Sequence, residues 1–341
     1  MEIKGFFSRD PAVIKKSTKL NNSPGQIFLE KLMRKTTAVI LAVLVLIIIS
    51  VAFVGLYFEN NTGTTPSSGS QIQVVAAENF WGSLISQLGG TRTNVLSIVT
   101  DPNADPHEYE SNSADARAIA SASLVIVNGA GYDDWALEII ASSNTRHQTV
   151  LNVQELLNQP VDANPHFWYS PIYVNVTLQA MYNDLVSIDP SHTSYYTQQY
   201  AALNASLAGY NEVVDEIRQD FAGSKVASTE SIFVYMANAC NLDLVSPPAF
   251  MEAVSEGIDP SAQSIVQFDQ LIQNKTIAML VYNEQTITPQ TQNIEALAKQ
   301  QGIPVVGITE TLQPLNDTFQ AWMNAELLSI QNALNSQVLG G

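Results

Sequence analysis

Short apolar runs alternate with helical stretches over most of this 341-residue chain, from Gln71 to the C-terminus. Strands that alternate with helices favour parallel α/β sheets, because a parallel strand pair needs a long crossover connection, usually a helix. The pattern predicts two groups of strands, Ile72–Ala77, Val95–Val99, Leu124–Val127 and Val150–Val153, then Lys225–Ser228, Asp243–Val245, Ile277–Val281 and Val305–Ile308. We therefore expect two α/β lobes, over residues 71–188 and 223–341.

A continuous helical stripe separates the two groups of strands. Between Ser191 and Phe221, apolar and aromatic side chains recur at alternating spacings of four and three residues. Asp189 and Pro190 precede the stripe with residue types that start helices. Such a helix would extend about 46 Å, longer than a crossover within one sheet requires. We expect residues 189–222 to form one long helix that joins the lobes; a coiled-coil oligomerisation helix is the alternative, but it does not explain the α/β units on both sides.

The first 70 residues have a different character. Ala38–Phe58 contains no charged side chain and would span about 31 Å as a helix, close to the hydrocarbon thickness of a bilayer. Basic residues precede this run, which predicts that the N-terminus stays in the cytoplasm. The run exceeds the apolar core of a signal peptide. We expect a cytoplasmic tail (1–37), an uncleaved transmembrane anchor (38–58) and a linker (59–70), with the body outside the cell membrane.

The charge of the chain is divided unevenly. Residues 1–36 hold eight basic and three acidic side chains, whereas the rest holds seven basic and 29 acidic ones. An acidic body argues against nucleic acid as a partner, because phosphate binding needs a basic face. An acidic body also suits acidic surroundings, because carboxylates that take up protons repel one another less. Cys240 is the only cysteine, so neither an internal disulfide nor a thiolate metal cage can form, and we interpret it as an inert buried thiol.

Four short polar segments follow predicted strands, which is where open α/β sheets gather their ligand groups. They are Asp105–Glu110 (D-P-H-E-Y-E), Asn164–Trp168 (N-P-H-F-W), Ser228–Glu230 (S-T-E) and Thr309–Thr311 (T-E-T). Prolines before His107 and His166 stiffen the loops that would present the imidazoles. These segments predict one site at the strand ends, shared between the two lobes.

From Gln71 onward the chain resembles the zinc/manganese-type solute-binding proteins of ABC importers. The shared pattern is the two histidine segments, a long backbone helix, the segment Ser228–Phe233 and a late acidic position; the stretches Val281–Thr286 and Gly307–Pro314 resemble one branch of that family. The resemblance implies a two-lobe receptor, not an enzyme, that delivers a divalent metal to a permease and its ATPase. The metal ligands that it implies are His107, His166, Glu230 and Glu310.

The identity of the metal stays open at this point. Two neutral imidazoles and two carboxylates suit Zn²⁺, Mn²⁺ or Fe²⁺ rather than Ca²⁺. The zinc branch often has a histidine at the third ligand position and a His-rich loop before the second histidine. Glu230 and the lack of such a loop therefore favour manganese or iron, but carboxylates bind zinc well too.

Other acidic side chains compete for roles at the site. The alternatives to Glu310 as the fourth ligand are Glu284 and Asp317, and Glu108 and Glu110 beside His107 are either supporting residues or surface ones. Ser170-Pro171 replaces the Asp-Pro that commonly follows the second histidine segment, and we expect it to start a helix all the same, because serine caps helices and proline suits their first position.

Three other functions fit parts of the sequence. A metal-dependent hydrolase would need an open coordination position and a general base in a cleft, and no segment supplies such a base. A receptor for a siderophore or cobalamin-like ligand would be lined by aromatics and arginines, but the body holds few arginines. A surface adhesion protein is the third alternative. We expect a monomer.

Overall fold

The structure is a computed structural model that describes residues 71–103, 106–143 and 147–340, with the side chains of 337–340 excepted. In this part of the chain, eight strands form two four-stranded sheets. Their bounds are β1 Ile72–Glu78, β2 Thr93–Val99, β3 Leu124–Val127, β4 Thr149–Asn152, β5 Lys225–Ser228, β6 Asp243–Leu244, β7 Met279–Asn283 and β8 Val305–Ile308. Both ends of each strand lie within two residues of the bounds predicted from the sequence.

Both sheets are parallel and share one topology. The strand order is β2-β1-β3-β4 in the first and β6-β5-β7-β8 in the second, and every strand pair is parallel. The two predicted α/β lobes are therefore present. All carboxyl ends within one sheet lie at the same edge, which is the edge where this kind of sheet binds ligands.

Helices connect the strands and cover the sheets. They are α1 Asn79–Gly89, α2 Ser113–Ser121, α3 Asp134–Ser142, α4 Val153–Leu156, α5 Pro171–Ile188, α6 Thr193–Ser206, α7 Ala208–Phe221, α8 Val234–Ala239, α9 Pro248–Ser255, α10 Ala262–Gln273, α11 Pro289–Gln300 and α12 Phe319–Gly340. Helix α5 begins as expected: Ser170 is its N-cap, its hydroxyl accepts a hydrogen bond from the Tyr173 N–H, and Pro171 is the first helical residue.

The helical stripe before Phe221 forms two consecutive helices, α6 and α7, where the sequence predicts one. Leu207 lies between them and keeps a helical backbone: its N–H donates to the Leu203 carbonyl and its carbonyl accepts the Asn211 N–H. The Ser206 hydroxyl donates to the Leu203 carbonyl at 2.7 Å, so it competes with the Leu207 N–H for that acceptor. Gly209 lies two residues after Leu207, and glycine weakens a helix. The stripe correctly identified the apolar face. Its periodicity gives no sign of the Ser206 hydroxyl that competes for a backbone carbonyl.

A large hydrophobic cluster continues from one lobe into the other. It contains strand residues of the first sheet, such as Val74, and of the second, such as Met279, together with buried side chains of α12. Next to it, the Asn79 side chain donates to the Leu312 carbonyl at 3.1 Å and accepts from the Leu312 N–H at 2.8 Å. The lobes therefore share a packed core near the strand ends.

Among the described residues, no helix is both long and apolar enough to cross a membrane. The expected anchor at 38–58, the basic tail at 1–37 and the linker at 59–70 lie outside the described residues. Cys240 is buried, and burial raises the pKa of its thiol to about 12, as an inert thiol requires.

Charges are sorted along the strand direction. Four basic side chains lie at the first residue of a strand or up to six residues before it: Arg92 before β2, Lys225 in β5, Lys275 before β7, and Lys299, in the last turn of α11, before β8. The described residues of the loops that follow the carboxyl ends of the strands contain nine Asp and Glu residues and no Lys or Arg. One end of the two sheets is therefore acidic, and that end carries the four polar segments described above.

Candidate metal centre

Each of the four side chains comes from the loop after a different strand. His107 lies in a turn of 3₁₀ helix after β2, and His166 precedes a second such turn after β4. Glu230 follows β5 and Glu310 follows β8. The first lobe therefore contributes two imidazoles, the second contributes two carboxylates, and one ligand atom from each lies within 4.8 Å of all the others.

The distances between imidazole and carboxylate atoms are short. His107 Nε2 lies 3.4 Å from Glu310 Oε2 and 3.9 Å from Glu230 Oε1. His166 Nε2 lies 3.5 Å from Glu230 Oε1 and 3.9 Å from Glu310 Oε1. Donor atoms around a tetrahedral zinc ion lie about 3.4 Å apart, given zinc–nitrogen and zinc–oxygen distances of about 2.0–2.1 Å. The spacing therefore fits four donors around one ion.

Asn164 determines which nitrogen of His166 faces the carboxylates. The Asn164 amide nitrogen donates to the Ser231 carbonyl at 2.7 Å, and its oxygen accepts from the His166 backbone N–H at 3.0 Å. The same oxygen lies 2.7 Å from His166 Nδ1, so Nδ1 must carry the proton in that bond. The Nε2 lone pair of the neutral ring then points at the carboxylates.

Burial keeps His166 in this neutral form. Its side chain is fully buried, and burial lowers the pKa of the imidazole, although the nearby Glu310 acts in the opposite direction. Among the described residues, His166 Nε2 has no hydrogen-bond partner. A buried lone pair that faces a carboxylate oxygen at 3.5 Å is unfavourable without a cation between them. A divalent metal ion fits this arrangement.

The two glutamates are also held in place. Tyr132 donates its hydroxyl to Glu310 Oε2 at 2.7 Å, and the Asn283 amide lies 2.6 Å from Glu230 Oε2 and 2.5 Å from Glu310 Oε1. Burial alone would raise the pKa of Glu310, but the His107 imidazole beside it holds that pKa well below its usual range. Both carboxylates are thus oriented by hydrogen bonds and Glu310 is ionised.

A cleft of about 530 Å³ opens beside His107. Asn164 and Ser231 line it near the four-residue cluster, and three acidic side chains, Asp162, Glu252 and Glu256, line it further out. Of the four residues of the cluster, His107 lines this cleft, and the acidic lining favours cations.

The competing acidic residues lie elsewhere. Glu284 and Asp317 are exposed and outside the four-residue cluster. The Glu284 side chain instead packs over Gly307. Glu108 and Glu110 are exposed on either side of Tyr109. Among the alternatives that the sequence left open for the fourth position, the geometry places Glu310 beside the other three.

Two supporting residues were not identified from the sequence. Tyr132 follows β3 and Asn283 ends β7, so both obey the rule that ligand groups gather at the carboxyl ends of strands. Asn283 lies within the stretch Val281–Thr286, which was noted only for its resemblance. A systematic list of polar residues at every strand end would have included both.

A protein-family model described as "Zinc-uptake complex component A periplasmic" matches residues 74–333 of this chain. The manganese-binding lipoprotein MntA of Halalkalibacterium halodurans is 24% identical over 192 residues, which are 54% of this chain and 63% of that protein. The alignment thus spans a little less than two thirds of that relative's length. The manganese ABC transporter substrate-binding lipoprotein scaA of Streptococcus gordonii is 22% identical over 279 residues, 76% of this chain and 86% of that protein.

The fold is also similar to that of solved structures. The periplasmic zinc binding protein TroA from Treponema pallidum superposes with a TM-score of 0.65 at 17% identity, over 78% of this chain and 99% of the other. At this identity the similarity shows the two-lobe architecture alone.

Proposed function

This chain belongs to the zinc-uptake complex component A family, and on that premise we propose that it is the extracytoplasmic solute-binding component of an ABC importer. It captures a divalent transition metal, Zn²⁺ or Mn²⁺ with Fe²⁺ as a further candidate, between its two lobes and delivers it to a membrane permease that works with an ATPase. The observation that carries this proposal is the convergence of two imidazoles from one lobe and two carboxylates from the other.

The proposed ligands are His107, His166, Glu230 and Glu310. Two carboxylates balance the charge of a divalent ion, so the loaded centre has little net charge to bury, which keeps the desolvation cost low. Four protein donors fill a tetrahedral shell, whereas a catalytic site keeps a coordination position open. This donor set supports capture of the ion rather than its use in catalysis, and we propose that the protein is not an enzyme.

The range of metals is supported by the relatives. Two are named as manganese-binding or manganese-transport proteins, and a structural neighbour is named as a zinc-binding protein. Imidazole and carboxylate ligands accept both metals. The donor set alone therefore leaves zinc and manganese as the two main candidates.

We place the protein at the cell membrane as a single-pass monomer. Residues 38–58 form the anchor, residues 1–37 lie in the cytoplasm, and the linker 59–70 holds the body outside. Within the body, residues 189–222 join the lobes 71–188 and 223–341. Two relatives are named lipoproteins, and a peptide anchor would have the same effect: tethering raises the effective concentration of the receptor near its permease.

Elemental analysis of the full chain, purified in detergent, tests the function. We expect stoichiometric zinc or manganese in the wild type and none in the double variant His107→Ala/His166→Ala. The matched control is His147→Ala, which removes an exposed histidine outside the cluster. Wild-type protein that is metal-free and binds no metal on titration would contradict the proposed function.

A further inference from the structure

Asn283 occupies a buried position between the two carboxylates. It is the last residue of β7, and 1% of its surface is exposed. Its side-chain oxygen accepts the Gln285 backbone N–H at 2.9 Å. An N–H donor needs an oxygen, so this bond fixes the orientation of the amide and turns its nitrogen toward the metal centre.

The amide nitrogen of Asn283 contacts both glutamates at once. It lies 2.6 Å from Glu230 Oε2 and 2.5 Å from Glu310 Oε1, with the Thr286 hydroxyl oxygen at 2.9 Å as a third acceptor. A neutral donor between two carboxylates offsets part of their repulsion. It also holds one oxygen of each carboxylate: Glu230 Oε2, and Glu310 Oε1, which lies 3.9 Å from His166 Nε2.

The remaining oxygens face the histidines. Glu230 Oε1 lies 3.5 Å from His166 Nε2, and Glu310 Oε2 lies 3.4 Å from His107 Nε2. Each glutamate therefore has one oxygen bound to Asn283 and a second oxygen nearer to a histidine; in Glu310 that second oxygen also accepts the Tyr132 hydroxyl. Two nitrogens and two oxygens in this arrangement make a four-coordinate site.

Coordination number separates the two candidate metals. Zinc is commonly tetrahedral with nitrogen and oxygen ligands, whereas manganese favours octahedral, oxygen-rich sites. If all ligands are side chains of the two histidines and two glutamates, a higher coordination number requires that a carboxylate bind through both oxygens. A donor that occupies one oxygen of each carboxylate opposes that change.

We propose that Asn283 is a positioning residue that makes Glu230 and Glu310 one-oxygen ligands and so selects zinc over manganese. This inference rests on the proposed function, since it concerns the choice of metal at the same site. It also reverses the preference for manganese or iron that Glu230 suggested from the sequence.

The test compares the full-length wild type with Asn283→Leu, which has a similar shape but no donor. The first readout is the ratio of zinc to manganese affinity, measured by competition with a chelator. The second is the visible spectrum of the Co²⁺-loaded protein, because four-coordinate Co²⁺ absorbs far more strongly than six-coordinate Co²⁺. The matched control is Asn79→Leu, which removes a buried asparagine that bonds Leu312 and touches no carboxylate.

We expect an intense Co²⁺ spectrum in the wild type and a weaker one in Asn283→Leu. We also expect Asn283→Leu to lose about 10–100-fold in zinc affinity, the range for partners of metal ligands, with a smaller loss for manganese, so that the zinc preference falls. Asn79→Leu should keep the wild-type ratio and spectrum. An unchanged ratio and spectrum in Asn283→Leu would overturn the inference. If Asn283→Leu does not fold, the wild type alone still tests the inference: a weak Co²⁺ spectrum, typical of six-coordinate Co²⁺, would overturn it. Wild-type protein that binds none of the three metals would instead contradict the function itself.

Discussion

A hydroxyl of the first lobe supports a carboxylate of the second. Tyr132 is buried, its ring lies 4.8 Å from the His107 ring, and its hydroxyl donates to Glu310 Oε2 at 2.7 Å. A single side chain thus contacts one proposed ligand from each lobe. Such a partner fixes the orientation of the ligands, and metal affinity depends on it although it does not touch the ion.

Removing that hydroxyl should weaken metal binding. For Tyr132→Phe we expect about a 10-fold lower affinity for zinc, since Glu310 loses a hydrogen bond that orients it. The measurement is a zinc titration in competition with a chelator. Tyr109→Phe is the control, because the Tyr109 hydroxyl donates to Asp115, outside the cluster. Equal affinities for both variants and the wild type would show that the bond has no role in metal binding.

Neighbouring residues show how far the sequence could predict the site. The four proposed ligands could be named in advance because they lie in short segments with a recognisable pattern. The role of Asn283 could not, because it depends on contacts with Glu230 and Glu310 across 53 and 27 residues of chain. Glu284 seemed a plausible ligand, but successive side chains of a strand point to opposite faces. Where Asn283 faces the centre, Glu284 faces away.

At the scale of elements, the sequence predicted the sheets better than the helical connection. Strand positions follow from apolar runs, which reflect burial directly. The break at Leu207 depends instead on a hydroxyl that competes for one carbonyl and on a glycine two residues later. Neither changes the apolar stripe, so both are invisible to a periodicity argument.

Glycine substitutions around α7 should have effects of opposite sign. A Cβ at Gly209 would meet no atom within 4 Å and the backbone is not left-handed, so we expect Gly209→Ala to stabilise the protein by about 0.5–1 kcal/mol. Gly223 has the same open space but a φ of +74°, so Gly223→Ala should destabilise it by about 1–2 kcal/mol. Urea unfolding measures both. Destabilisation by Gly209→Ala would show that the break at Leu207 needs glycine.

At the scale of the whole molecule, several carboxyl groups are easier to bury as acids than as anions. Burial raises the pKa of Asp133 to about 6 and that of Glu326 to about 7. Burial and the neighbouring Asp133 raise the pKa of Glu78 well above its usual value. Unfolded Asp and Glu titrate near pH 4. The folded chain therefore binds more protons above that pH, and these groups make it less stable as the pH rises from about 4 to 7.

Glu78→Gln should flatten this pH dependence. Glutamine has nearly the same shape and volume as a protonated glutamate, but it does not ionise. We expect the variant to match the wild type near pH 5 and to be more stable near pH 8, by roughly 1.4 kcal/mol for each unit of raised pKa. Urea unfolding of the metal-free protein at both pH values measures this, with the exposed Glu212→Gln as control. A variant with the wild-type slope would assign the pH dependence to other groups.

The one-sided charge of the sheets bears on the chemical form in which metal arrives. The described parts of the loops around the centre carry nine acidic side chains and no basic one. A hydrated cation is therefore attracted, and an anionic complex, such as a metal citrate, is repelled before contact. A receptor with this surface competes for free ions and leaves chelated ones in solution. Its supply therefore depends on how fast the surrounding chelators release their metal.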